Sequence, residues 1–113
     1  MGNATDELLA EIEDLQHDLG KHLLLPVALL PPTATDGQVQ AAVARAFTDT
    51  KAAQRWANAS RAVRQDLALD AAVQRALAWQ GRAAVAADLT DIKADFAAVA
   101  AALRALRHRI DGG

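Results

Sequence analysis

Leu8, Ile12, Leu15, Leu19 and Leu23 recur at steps of three and four residues with charged and polar residues between them, which predicts one amphipathic helix starting near Ala4. Pro26 falls where the stripe would run on to Leu30. The helix either stops near Leu25 or bends and continues, and Pro31 and Pro32 end it in both cases. The string from Pro31 to Gly37 reads as a loop, with Thr35 or Asp36 as N-cap of the next element. Val39, Val43, Ala46, Thr50, Ala53, Trp56, Ser60, Val63 and Leu67 then keep a heptad-like spacing that predicts a long helix. Thr48, Asp49 and Thr50 resemble a capping region, where that helix would break into two shorter ones. A third helix is expected over Leu69, Val73 and Leu77, reaching Gln80 or Ala84, with a turn at Gly81. The last stripe is the clearest: Val85, Leu89, Ile92, Phe96, Val99, Leu103, Leu106 and Ile110 alternate steps of four and three. It predicts a helix from about Asp88 to Arg109, followed by a frayed tail over 111–113.

These elements add up to an all-α fold in a single domain spanning 1–113, a small antiparallel bundle of four helices or three longer ones. Composition sharpens this picture. Of 113 residues 52% are apolar, tyrosine is absent, and Phe and Trp number two each, so the core is built from Ala and Leu. Helices with alanine faces approach closely, and such faces serve equally inside one subunit or between two.

A net charge of −2 gives no general attraction to phosphate backbones, which argues against nucleic acid or an anionic membrane as partner. The absence of cysteine excludes disulfides, thiolate metal sites, iron–sulfur clusters and cysteine nucleophiles, and suits a cytoplasmic location. The opening MGNATDELLAEIEDL is acidic and lacks the basic and apolar regions of a signal peptide, and the longest apolar run, Leu23 to Leu30, is too short to span a bilayer.

Candidate chemistry gathers on the first helix. His17 lies about 180° from the Leu8/Ile12/Leu15/Leu19 stripe and is expected at the surface. An exposed helical histidine followed by a carboxylate resembles the phosphoacceptor of histidine kinase dimerisation domains, which implies phosphotransfer through His17, with Asp18 beside it and Lys21 one turn on. Those families place a proline about a turn and a half after the histidine, whereas Pro26 stands nine residues on. The same five residues, His17-Asp18-Leu19-Gly20-Lys21, are similar to the central motif of HD-type metal phosphohydrolases. That motif implies further His and Asp ligands, and no histidine precedes His17.

Asp14, Asp18 and His22 share one ridge at i, i+4 and i+8, half of what a bundle metal site needs. The late helix offers Asp88, Asp91 and Asp95 but no matching histidine, so solvated carboxylates and a structural His22 are expected, with no metal and no cofactor. Lys51, Arg55, Arg61 and Arg64 around Trp56 suggest a nucleic-acid contact, yet Trp56 falls on the apolar seam and the basic residues are free to pair with the acidic first helix. No Ser/His/Asp ordering, glycine-rich phosphate loop or nucleotide fingerprint occurs, so neither catalysis nor a small-molecule substrate is expected.

Leu23, Leu24, Leu25, Pro26, Val27, Ala28, Leu29 and Leu30 are apolar on every side, which a surface helix of a monomer cannot hide. The segment either plugs the end of the bundle or binds a partner. The expected interaction residues are Leu23, Leu24, Pro26, Val27, Leu29 and Leu30, with Trp79, set about 200° from Leu77, as a partly exposed anchor. A non-catalytic protein–protein interaction module follows, binding itself as a homo-oligomer or a protein partner in the manner of a signalling adaptor, with His17 phosphotransfer as the alternative.

Overall fold

The computed structural model describes residues 3–112 and contains helices and turns but no strand among them. The chain begins with α1, Asn3–Leu15, which passes without a break into a π-helix, Gln16–His22. After a turn at Leu23 and Leu24 comes the single turn α2, Leu25–Ala28, with Pro26 in its first turn, where a missing N–H costs no helical bond. Helical dihedrals at Leu23 and Leu24 link the π-helix to α2, so the chain runs on past Pro26 as a separate turn of helix and not as one unbroken helix.

The π-helix has a cause in the sequence. Ile12, Leu15, Leu19, Leu23 and Val27 are all buried, and the last four are spaced by four residues each. At the 100° per residue of an α-helix those four would drift by about 40° per step and about 120° in all. Turns closed by i→i+5 bonds take up more residues, so the drift is cancelled and the stripe stays on the core. Gly20, inside this segment, faces the last helix of the chain at ordinary van der Waals distance. A Cβ built on it would lie 3.6 Å from both Cα and Cβ of Ala100.

The second limb is α3, Asp36–Thr50, followed by α4, Ala52–Ala57, and α5, Arg61–Arg64. Thr35 is the N-cap and forms a reciprocal capping box with Gln38, so the helix begins at Asp36, one residue before the predicted loop end at Gly37. The long helix expected from Val39 to Leu67 is broken twice. Thr50, itself buried, donates its hydroxyl to the Ala46 carbonyl at 2.7 Å, and Lys51 then adopts the left-handed conformation with φ 49°. A second break follows at Asn58 and Ala59, and Ser60 caps α5. Each break resets the register, so Ala53, Ser60 and Leu67 of the expected seam are exposed while Ala52, Ala59 and Val63 are buried.

Asp66 caps α6, Leu67–Ala78, by accepting from Leu69 N at 2.8 Å, and a 3-10 turn, Trp79–Gly81, closes it at the predicted glycine. A second 3-10 turn, Ala86–Asp88, leads into α7, Leu89–Gly112. The clean four-and-three stripe is realised there: Leu89, Ile92, Phe96, Val99, Leu103 and Leu106 are buried. Asp111 and Gly112 remain helical, which corrects the expected fraying at those two positions; Gly113 lies outside the described residues.

Polar contacts between the limbs fix their directions. Lys93, early in α7, donates to the Leu30 carbonyl at 3.1 Å, while Arg107, late in α7, pairs with Glu13 at 2.7 Å, so the first limb and α7 are antiparallel. Trp79 Nε1 donates to Asp95 at 2.8 Å and Arg109 pairs with Asp66, so α6 and α7 are antiparallel as well. Arg55 pairs with Asp18 at 2.9 Å and Ser60 N donates to Glu11 at 2.6 Å, which lays α4 and α5 back along the first limb. The result is a four-limbed antiparallel bundle with extents of 52 × 23 × 20 Å, its core running lengthwise between α7 and the other limbs. Phe47 and Phe96 meet edge to face inside it with centroids 5.8 Å apart. No described helix is long and apolar enough to cross a membrane.

Candidate functional site

The apolar segment after the π-helix is divided three ways by the way it packs. Leu23 and Val27 are fully buried and belong to the core. Leu24 is half-buried on the α7 side, where it shares a shallow pocket with Gly20 and Ala100. Leu25 and Leu29 point outward, 41% and 81% exposed. Within the expected interaction set, therefore, Leu23 and Val27 are closed off: they fall on the continued core stripe, which the π-turn keeps facing inward.

Trp79 is likewise not a surface anchor. It is 4% exposed, its indole N–H satisfied by Asp95 and its ring covered by the Arg82 guanidinium at 4.1 Å. The buried stripe of α6 runs through Leu69, Ala72, Val73 and Ala76, and Trp79 follows Ala76 by three residues on that side, whereas Leu77 is only half-buried.

The residues that remain on the outside border a groove between the end of the first limb and α3. Its volume is about 540 Å³, and its walls are Leu25, Pro26, Leu29 and Leu30 on one side and Ala41 and Ala42 on the other. The small alanines give the groove its depth, while His22, Gln38, Arg45 and Asp49 supply a polar rim. Arg45 and Asp49 form an exposed i,i+4 pair at 3.4 Å. Leu25 and the α3 wall were not among the expected site residues. The sequence carried a signal for α3, since Ala41 and Ala42 sit in a helix too mild to fill the space opposite a run of leucines.

His17 is exposed, as its angular position predicts, and so is Lys21, four residues on. Asp18 is engaged by Arg55, which places the acidic first limb and the basic second limb in contact and uses one of the cations that suggested a nucleic-acid contact. Trp56 is buried, as expected of a seam residue. The ridge Asp14, Asp18 and His22 does not assemble into a site: among the described residues no group of three or more His, Asp or Glu side chains is placed to hold a metal ion. Asp88 and Asp95 of the late helix have structural roles, the first accepting from Val85 N at 3.0 Å and the second from Trp79.

The π-helix creates one juxtaposition that α-helical spacing does not contain. The rings of His17 and His22 meet with centroids 4.5 Å apart and planes tilted by 53°. Five residues apart on an α-helix, the two would be separated by about 140°.

A second hollow, about 300 Å³, lies between α3 and the end of α6, with Phe47 and Trp79 in its wall and Arg82 at its edge. Comparison of the chain with protein-family models, with curated proteins and with solved structures gives no match.

Proposed function

We propose that the protein is a non-catalytic association module that binds a second copy of itself or a helical protein partner through the groove between the Leu25–Leu30 turn and α3. The observation that carries this reading is Leu29, which holds 81% of its surface in solvent beside a groove floored by alanine. An exposed leucine next to a pocket of that size is an apolar surface left uncovered by its own chain, and covering it stabilises a complex by about 25 cal/mol per Å² of apolar area removed from water. A helix laid along the groove would present its apolar face to Leu25 and Leu29 and its flanks to Arg45 and Asp49.

The test is light scattering behind a sizing column, over a range of protein concentrations, on wild type and Leu25→Glu/Leu29→Glu, with circular dichroism on both. Self-association is supported by a wild-type mass above monomer that falls to monomer in a fully helical variant. An oligomer that the variant leaves intact would place the interface elsewhere, and a wild-type monomer at the highest concentration reached removes self-association.

A second reading, phosphotransfer, rests on the exposure of His17 and of Lys21 four residues on. Incubation with phosphoramidate followed by intact-mass measurement tests it: a phosphoryl adduct absent from His17→Gln supports it, and no adduct on wild type removes it.

A further inference from the structure

We propose that His17 and His22 form a two-imidazole chelate for one divalent transition-metal ion of the nickel, copper or zinc class. The first support is distance. A metal sits about 2.0–2.1 Å from an imidazole nitrogen, and the ring centre lies a little over 1 Å behind that nitrogen, so two rings on one ion have centroids roughly 4.5 Å apart at a right angle and about 5 Å apart at a tetrahedral angle. The observed separation is 4.5 Å. The second is orientation: the planes are tilted by 53°, whereas rings stacked face to face would hold their in-plane lone pairs parallel and unable to converge.

Position gives the third. His17 is exposed and His22 half-buried at the groove rim, so an ion reaches the pair from solvent and keeps water in its remaining coordination positions. Asp14, one turn before His17, is exposed and adds negative charge on the same limb, while Glu13 is committed to Arg107 and Asp18 to Arg55. Imidazole nitrogen selects this class of metal over calcium and magnesium, which take oxygen.

The chelate depends on the i→i+5 register, because the α-helical alternative separates the two rings. A bound ion therefore ties together both ends of the π-segment and favours the folded chain that contains it. The inference is independent of what fills the groove.

The experiment is isothermal titration calorimetry of the full chain with nickel chloride and with zinc chloride in a non-coordinating buffer, on wild type, His17→Ala, His22→Ala and His108→Ala. Melting curves with and without metal accompany each titration. One ion per chain is expected for wild type and for His108→Ala, with affinity falling by on the order of tenfold or more in either of the other variants, since each removes one of two ligands. The melting temperature should rise with metal in wild type and stay unchanged in His17→Ala and His22→Ala. The chelate is overturned by the lack of saturable binding in wild type. It is equally overturned by binding that survives both substitutions, or by loss in one variant alone, which would mean a single imidazole.

Discussion

Truncating Leu23 and Leu29 to alanine separates the inner and outer sides of one apolar turn. Leu23 is 1% exposed and sits among Leu19, Val27 and the α7 stripe, so Leu23→Ala removes a buried side chain and leaves a cavity costing about 3 kcal/mol. For a domain of this length that lowers the melting temperature by roughly 10 °C. Leu29 keeps 81% of its surface in water, and Leu29→Ala should change the stability of the isolated chain by less than about 0.5 kcal/mol. Urea denaturation followed by tryptophan fluorescence, at a low and a hundredfold higher protein concentration, measures both.

The Leu23→Ala loss should be the same at the two concentrations. The Leu29→Ala difference should be near zero when dilute and grow when concentrated, because a self-associating chain gains stability by mass action that the variant forfeits. Equal, concentration-independent losses at the two positions would refute the division of the segment into a core side and a binding side.

Three further outcomes follow from the packing. Lys51→Gly should stabilise the protein by about 1 kcal/mol, since Lys51 holds φ 49° between α3 and α4, a conformation that disfavours a side chain; a thermal melt reads the sign. Thr35→Ala should cost about 1 kcal/mol and raise amide exchange selectively in the first turn of α3, because Gln38 N loses its hydroxyl acceptor while the backbone N–H of residue 35 still donates to Gln38 Oε1. Asp95→Ala should cost about 1–3 kcal/mol by leaving the buried Trp79 N–H without an acceptor, with a shift in tryptophan emission as the local readout.

Much of the architecture is legible in one dimension. The stripe from Leu89 to Leu106 specifies α7 because a four-and-three alternation buries one face of an α-helix and no other element. Thr35 and Gly81 mark ends for local reasons, the first through its hydroxyl and the second through the turn it permits. The exposure of His17 follows from angular position alone. Even the π-helix was written in the four-residue spacing of Leu15, Leu19, Leu23 and Val27, which is read correctly once the drift of an α-helix over twelve residues is counted.

Other features were decided by tertiary packing, because they depend on what faces what. Ala53, Ser60 and Leu67 fit a heptad as well as their buried neighbours do, and the breaks at Lys51 and Asn58 set the register by laying α4 and α5 against Asp18 and Glu11. Trp79 turns inward because Asp95 of α7 is there to accept its N–H. Leu23 and Leu29 are the same residue in the same apolar run. Only the position of α7 behind one and the shallow alanine wall of α3 beside the other make the first core and the second surface.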